Sequence, residues 1–566
     1  MKSGYKLQWV KFYSSEFAID GVEYKSLPSG IHDSASATVF ISHKSGKEMY
    51  YGVCCFIQFT LEDNNNDSRQ NLKMFSLGVL CKPKPSEWKP NEFINLGWEY
   101  IPDLREVLED LKTKIKANPT EQVDLNAYFT TSSVFEKVSA KLANPKSSTM
   151  DKNNNQHHLL LQLPKMFQIL GPLVFVIFKQ SLLRKNIMIF NELHMNAIHQ
   201  GDENENGTEN NNNNEGEEEY TRDSSYNYEL LTSFSYLLTV LSVVPNNIKL
   251  SERILQSQQP LYSVGLNELS SGEVFGDRVN GYIGVTSDEI LKTHSIYDVG
   301  VEIGNTVKVF TNEHDHSKQQ SFHQLKATIR DYHKFQRLYS NSFLKNLNLT
   351  HLANVSTDDL IRVASNDAAS ILHRETETRS KSSFTPSPLR KTVTDLSSPS
   401  SQLENEPAWW KLEAVEPLSW TESIWSAFSW FASAGQQLDT TEEEPNAQAT
   451  STKTTASLHQ KVDVIDLLKI VGYFHKFTYK WFNYIDELII DAIQQEQAHF
   501  ETEEDQTLVR QEIIETLHIS YQDMLEIELD PYSAQDISFI KEFVLLYYGD
   551  KVERVSVGYN LSSICC

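Results

Sequence analysis

The stretch that most constrains this 566-residue chain is PKMFQILGPLVFVIFKQSLLRKNIMIF at 164–190. Its apolar run Ile169–Phe178 falls far short of the ~20 residues a membrane-spanning helix needs, so it belongs in a protein interior. Gly171-Pro172 breaks the stretch; Leu173–Leu183 then reads as a largely buried helix and Asn186–Phe190 as a short buried strand. The alternation continues downstream. Tyr228–Val244 is helical and ends at Pro245, Tyr282–Thr286 reads as a strand, Asp288–Leu291 as the start of a turn or helix, and Tyr297–Ile303 as a further strand. Phe322, Leu325, Ile329, Tyr332, Tyr339 and Phe343 mark one amphipathic helix over 322–343. Such alternation predicts a three-layer α/β domain over 159–350.

Upstream, Ala37–Ser42 and Met49–Thr60 are rich in β-branched and aromatic residues, with a turn signal at Lys44-Ser45-Gly46 between them. Asn71–Cys81 reads as a third strand. Leu104, Val107, Leu108, Leu111 and Ile115 give Tyr100–Lys116 helical spacing, with Pro102 suited to its first turn. Three strands and a helix predict a small α+β domain over 1–145. Downstream, 407–566 reads as mostly helical: Val462–Gln495 as one or two aromatic helices and Asp536–Tyr548 as another. Five of the nine tryptophans fall in 409–430, where spacing such as Trp420, Ile424, Phe428 is that of core packing, an exposed partner surface being the alternative. Ser419–Glu422 has a capping-box pattern, and Gly435 suits a helix stop.

Five stretches lack the apolar surface to offset the entropy of ordering: 62–70, the linker 146–156 (146–158 between the blocks), the acidic insert 201–219, the Ser/Thr/Pro-rich linker 373–406, and 439–460. At ~150 residues per domain the length allows three or four domains, and the three blocks agree. The net charge is −25, of which the 201–219 insert supplies −8. A balance this acidic argues against general affinity for nucleic acid or anionic membrane. Five cysteines are too few for a disulfide-stapled scaffold, and the start MKSGYK has no signal-peptide character, so the expectation is a cytoplasmic protein.

Motifs for covalent chemistry are absent. There is no G-x-x-x-x-G-K-[ST], no G-x-G-x-x-G after a strand, no H-E-x-x-H and no G-x-S-x-G. Cys54, Cys55 and Cys81 fall in predicted strands without C-x-x-C spacing and read as buried structural thiols. His157-His158 and His314/His316 read as solvated loop histidines. No catalytic residue, cofactor or metal is therefore expected, and the chain is expected to act by binding.

Six segments in order resemble the DENN-domain family, in the fungal form of its LCHN / Avl-nine-related branch. GVEYKSLPSGIH at 21–32 looks like the branch's GVEFKSLPSG-x-H, carrying Pro28, Ser29, Gly30 and His32. In 164–190, Lys179, Leu182, Leu183, Arg184, Lys185 and Ile187 stand at the places of the family's L-W-K-x-x-L-L-x-R-K-R-I helix. PLYSVGL at 260–266 resembles P-L-Y-x-V-G-I, and GYIGVTSDEILKTHSIYDVGVEI at 281–303 resembles G-W-x-A-x-T-T-D-E-I-L…L-Y-D, through Thr286, Asp288, Glu289, Tyr297 and Asp298. EPLSWTESIWSAFSWFASAG at 416–435 and LDPYSAQDISFIKEFVLLYYG at 529–549 are similar to the start and end of the fungal C-terminal domain. The family's opening β-strand has no counterpart before Gly4–Trp9, so either the sheet lacks it or the gene model does.

The resemblance implies a longin-like N-terminal module, an α/β DENN core and a helical C-terminal domain. It implies a guanine-nucleotide exchange factor or regulator of a Rab-type GTPase in membrane trafficking, binding the switch regions without covalent catalysis. The alternative is a non-catalytic DENN scaffold at an endomembrane. Thr286, Asp288, Glu289, Tyr297 and Asp298 have a structural reading, with an Asp capping the next helix, and a GTPase-contact reading. Arg184-Lys185 reads as the solvated end of an apolar helix, and Lys179 as facing cytosol or partner. Cys565-Cys566 reads as two unmodified thiols, as an S-palmitoylation site giving peripheral endomembrane attachment, or as a prenylation site; only Arg554 is basic in the last fifteen residues. Thr385-Pro386, Ser387-Pro388-Leu389-Arg390 and Ser398-Pro399 suit a proline-directed kinase, against a plain spacer as the simpler reading.

Overall fold

The computed structural model describes residues 5–13, 16–27, 35–46, 48–61, 72–82, 97–117, 124–143, 159–191, 224–245, 247–251, 254–271, 275, 279–313, 321–341, 407–417, 464–498 and 513–558. The chain divides into two compact units. The first holds Met1–Leu325, Leu352–Ile361 and Val464–Tyr479; the second holds Lys326–His351, Arg362–Asp463 and Lys480–Cys566. The five low-complexity stretches, the Ser419–Glu422 pattern, Gly435 and the four loop histidines lie outside the described residues.

In the first unit a short helix α1 (Val22–Lys25) precedes a meander of β1 (Ser36–Ser45), β2 (Glu48–Thr60) and β3 (Leu72–Cys81). The β1–β2 register runs Ser36↔Ile57 to Ser45↔Glu48, and Gly46, at φ +61°, makes the turn. A single 3-10 turn leads into α2 (Ile101–Ala117), whose buried Leu104, Val107, Leu108, Leu111 and Ile115 are the stripe its spacing predicts. Helices α3 (Leu125–Thr131) and α4 (Ser133–Ala143) follow, the first capped by Asp124, whose carboxylate accepts the Asn126 N–H at 2.9 Å.

Next come α5 (Leu163–Leu170), α6 (Leu173–Leu182), β4 (Ile187–Asn191), α7 (Ser224–Leu241), β5 (Gln259–Ser263), α8 (Leu266–Ser271), β6 (Tyr282–Thr286), a 3-10 turn (Glu289–Thr293), β7 (Val299–Ile303), β8 (Val307–Glu313) and β9 (Ser321–Leu325). All nine strands form one sheet in the order β3-β2-β1-β5-β6-β4-β7-β8-β9. The meander predicted as a separate small domain is thus one wing of a shared sheet. Its junction with the centre is slight: β1 meets β5 only at Ile41↔Tyr262, beside a register irregularity in β5. Tyr262 has φ +52°, and its N–H leaves the ladder to donate to Ser235 Oγ of α7 at 3.1 Å.

Strands β5, β6, β4 and β7 run parallel. Helices pack on one sheet face, where Phe40 meets Trp98 and Ser235 bonds the backbone of β6. On the other face Val22 packs with Val39, Ile41, Cys54 and Phe56 under the meander, while Leu291 and Tyr297 pack with Met188, Phe190 and Phe310 under the centre. Phe474 of the long helix Val464–Ala498 closes on Phe167, Phe175 and Phe178 at 4.9–5.9 Å. No single helix among the described residues is long and apolar enough to cross a membrane; the pair flanking Gly171 is bent by 116°.

The helix expected over 322–343 is corrected. Ser321–Leu325 is strand β9, paired to β8 from Val309↔Leu325 to Glu313↔Ser321. Phe322 and Leu325 fit a short strand as well as a helix, and the ladder decides; the helix begins only at Ile329, after Thr328 Oγ1 has accepted the Asp331 N–H at 3.1 Å.

In the second unit that helix is α9 (Ile329–Asn341), and α10 (Trp409–Leu412) lays Trp410 edge-on against Phe335 and Tyr339 at 5.0 and 5.1 Å. Of the predicted aromatic cluster, Trp410 is therefore core; 418–430 lies outside the described residues. From Lys480 on, the long helix packs Trp481 against Phe539 and Phe482 against Phe543, and Trp481 Nε1–H donates to Ile527 O at 2.9 Å. The rest is β10 (Ile514–Ile519), α12 (Tyr521–Glu526) with a Ser520/Asp523 capping box, α13 (Ala534–Tyr548) and β11 (Val552–Val557), the long helix counting as α11. Besides its helices this unit has a two-stranded parallel sheet, β10–β11, that periodicity did not reveal.

Candidate functional site

The motif residues of 281–303 divide between the two ends of the parallel strands. At the carboxyl end of β6, Thr286 is buried and its Oγ1 accepts the Asp288 N–H at 3.0 Å. Asp288 opens the 3-10 turn through its carbonyl, which accepts the Leu291 N–H at 3.1 Å, but its carboxylate makes no capping bond. The expected Asp cap is corrected on that point. The carboxylate points instead toward the turn after β5, where a Cβ added to Gly265 would lie 3.5 Å from Asp288 Oδ2. Glu289 is exposed, as is Ile290 (55%), while Leu291 is fully buried. Leu266, at the start of α8, is 44% exposed.

Residue Asp298 stands at the other end. Its Oδ2 accepts the Asn186 N–H at 2.8 Å, and the N–H groups of Asp298 and Val299 both donate to Asn186 O, clasping the amino ends of β7 and β4. Tyr297 is buried with its ring 5.3 Å from Phe190 and donates its hydroxyl to Lys292 O at 2.9 Å; burial pushes its phenol pKa up. Arg184 and Lys185 are on this side too. Arg184, at φ +58°, is buried rather than solvated, and its Nη2 donates to Leu255 O at 2.8 Å; Lys185 O accepts from Gln258 Nε2. The Arg184 carbonyl also lies where a Cβ on Gly281 (φ +64°) would fall, 2.3 Å away, so only glycine fits there. Lys179, expected to face outward, is 5% exposed within α6, because that helix is covered all round.

The carboxyl edge contains a pair that motif reading did not single out. Lys25 Nζ lies 2.5 Å from Glu268 Oε1, both side chains almost fully buried, and donates to Ser42 O at 2.6 Å. Glu268 Oε2 accepts the Gly265 N–H at 2.9 Å, and Ser42 Oγ donates to Leu261 O at 2.8 Å. One ion pair thus ties α1, β1 and the β5–α8 turn, which runs directly into the exposed Leu266. Its only sequence signal was a lysine inside the GVEYKSL motif. Nearby, His43 Nε2 bonds Ala18 O at 2.7 Å, and burial lowers its pKa.

Cys54 and Cys55 are buried and Cys81 half-buried; burial pushes all three thiols up to about 12, far from thiolate reactivity at neutral pH. Among the described residues no three His, Cys, Asp or Glu side chains are grouped to hold a metal. Pro28, Ser29, Gly30, His32, Thr385, Ser387, Ser398, Cys565 and Cys566 lie outside the described residues.

Ligands of open parallel sheets bind outside the carboxyl ends of the strands, and there the chain combines a braced polar base with exposed apolar tips. The amino edge, by contrast, is spent on backbone clasps. Among the described residues, this edge joins exposed apolar side chains to a buried ion pair and a network of backbone hydrogen bonds.

Comparison with known proteins agrees with the motif order. Residues 1–315 match the family model of DENN domain-containing protein 11, and residues 415–565 match a domain of unknown function, DUF4484. "Uncharacterized protein ANR2" of Saccharomyces cerevisiae (strain ATCC 204508 / S288c) is 26% identical over 375 residues, 60% of this chain and 63% of the relative, so the chain spans less than two thirds of that protein's length. No solved structure matches. With more than half its length inside the first match, the chain belongs to the DENN domain-containing protein 11 family.

Proposed function

We propose that this protein is a guanine-nucleotide exchange factor, or close regulator, of a Rab-type GTPase in membrane trafficking. The observation that carries the reading is the DENN match over 1–315, since DENN domains are in general tied to Rab exchange and that span holds eight of the nine sheet strands. The carboxyl edge of β5 and β6 is the surface offered to the switch regions. Exchange of this kind breaks no covalent bond. The factor favours an open, nucleotide-poor GTPase by binding it more tightly than the closed form.

Reversing a 1:99 population needs about 5.5 kcal/mol of differential binding. Ile290 and Leu266, 55% and 44% exposed, can each supply roughly 0.7–1.5 kcal/mol by further burial against a partner, so they are one part of a larger contact, and the Lys25–Glu268 pair braces the turn that runs into Leu266. A GTPase brings the chain to the cytoplasmic face of an endomembrane, so a protein of charge −25 needs no basic membrane patch of its own. S-palmitoylation of Cys565-Cys566 would add a second, lipid attachment.

Release of a fluorescent guanine nucleotide from a panel of purified Rab proteins, with the full chain present, tests the reading. Acceleration for at least one is the expected outcome. Binding without acceleration favours the non-catalytic scaffold, and neither binding nor acceleration across the panel contradicts both.

A further inference from the structure

In the second unit, α9 carries Arg330, His333 and Arg337 at positions i, i+3 and i+7, one stripe of the helix. Its buried side is occupied differently. Asp331 takes Lys334 Nζ at 3.4 Å, and the same Nζ donates to Glu528 O at 2.6 Å. Trp410, wedged between Phe335 and Tyr339, brings the next residue, Lys411, to this helix. Arg330 is half-buried, Arg337 and Lys411 exposed. Among the described residues none of these three cations has an ion-pair partner, and Nε2 of His333 is buried without a hydrogen-bond partner. Burial, and then the charges of Arg337, Lys411 and Arg330, hold the imidazole pKa down against the hydrogen bond the ring donates to Gln336, which raises it. In a chain with 76 carboxylates and 51 basic residues, three cations left unpaired around one imidazole call for an anion from elsewhere.

The chain itself leads to one. It leaves α9 at Asn341 and returns at Pro407, two residues before α10, so the segment between starts and ends on the two helices that form the cluster. That segment contains Ser387-Pro388-Leu389-Arg390, and Ser387 lies 20 residues before Pro407. Twenty residues span at most about 70 Å, so reach is not limiting, and a tether of this kind gives effective concentrations near millimolar. A phosphomonoester is nearly dianionic at neutral pH and offers three acceptor oxygens, a match for two guanidinium groups, an ammonium and an imidazole N–H.

We propose that Arg330, His333, Arg337 and Lys411 form a binding site for a phosphomonoester carried in cis by the 373–406 segment, with phosphorylated Ser387 as the ligand. The phosphoryl group comes from ATP through a proline-directed kinase: the bond from the γ-phosphorus to the bridging oxygen breaks, ADP leaves, Ser387 Oγ forms the new P–O bond and its proton passes to the kinase's base. Docking then fixes a segment that joins α9 to α10 and gives the second unit a phosphorylation-dependent state. This inference concerns the second unit alone and does not depend on GTPase exchange.

The test uses the full chain with phosphoserine installed genetically at position 387, so that kinase efficiency plays no part. The second pKa of the phosphate, ordinarily about 6, is followed by phosphorus NMR across pH. The expected result is a downward shift of about one unit, lost in an Arg330→Gln/Arg337→Gln variant and reduced in Lys411→Gln, with melting curves that match the parent. Amide exchange over 329–341 should slow in the phosphorylated chain and not in the variants. Equal phosphate titration in parent and variants overturns the proposal. It is equally overturned if the unphosphorylated chain binds phosphatidylcholine vesicles containing a phosphoinositide through the same cations while phosphoserine titrates as in a free peptide, since the cluster then serves a membrane.

Discussion

The meander and the parallel centre belong to one sheet but hold together by different means. In the meander, strands of 10–13 residues pair through long unbroken ladders, and each face packs against a different element. In the centre, β4 and β6 are five residues each and buried throughout, so side-chain packing on both faces does what ladder length does in the meander. Where the two meet, pairing shrinks to Ile41↔Tyr262, and side chains take over: Ser42 and Ser235 bond the backbone of the centre, and Lys25–Glu268 spans the join. A sheet can therefore be continuous in topology and yet be bridged at one seam mainly by side chains.

The strongest way to break that contrast is Glu268→Ala. It leaves the Lys25 ammonium buried without its carboxylate, and the expected loss is about 3–5 kcal/mol in urea unfolding. A Lys25→Met/Glu268→Leu double variant should recover most of it, because the pair's own net contribution is small once both charges are gone. If Glu268→Ala unfolds within 0.5 kcal/mol of the parent, taken as the ordinary scatter for an uncoupled surface change, the ion pair does not hold the seam.

Glycine substitutions sharpen the difference between wing and centre. At Gly52 an added Cβ would sit 1.8 Å from the backbone carbonyl of Val79, which the ladder cannot move; at Gly300 it would meet the Phe310 ring at 2.2 Å, which can rotate away in part. Gly52→Ala should cost about 3 kcal/mol or more and Gly300→Ala about 1–3 kcal/mol, and Phe310→Leu should relieve only the second. Equal costs, or relief of both, would remove the distinction.

How much of this was legible follows from the same contrast. The ladders of β1 and β2 show as long β-branched and aromatic runs, and the stripe of α2 shows as a heptad-like repeat, because each is decided within a dozen neighbouring residues. Ser321–Leu325 misled, since two apolar residues three apart fit a helix and only the partner strand β8 makes them an edge strand. Strands β8, β10 and β11 carry too little alternation to stand out. The candidate site was half legible. Thr286, Asp288 and Glu289 were found as a motif, but Asp298 in that same motif serves the opposite end of the strands, and Glu268 is set by a lysine 243 positions away. Lys179 was misplaced because a lone lysine in an apolar helix normally seeks water, whereas here every side of the helix is covered.

A smaller effect is expected from pH. His43 lies beside the seam with its pKa lowered, mainly by burial and further by the Lys25 charge. Its neutral form contributes stability that is complete above the unfolded value of about 6.5 and is lost as pH falls toward the folded value, because the unfolded chain binds the proton first. Urea midpoints should therefore decline below pH 6.5, and His43→Gln should flatten that part of the profile. A profile unchanged by the substitution assigns the decline to other groups.

The smallest effect on the fold should accompany the largest on function. Ile290 is 55% exposed, so Ile290→Asp is expected to leave the unfolding free energy within about 0.5 kcal/mol of the parent. The decisive measurement is nucleotide release from whichever Rab protein responds to the full chain, with Ile290→Asp set beside the parent. If the carboxyl edge of β5 and β6 is the contact surface, the variant accelerates release at least about tenfold less, as burial of a charge in place of an apolar side chain requires. Release accelerated equally by parent and variant would contradict that assignment and move the GTPase to another face of the molecule.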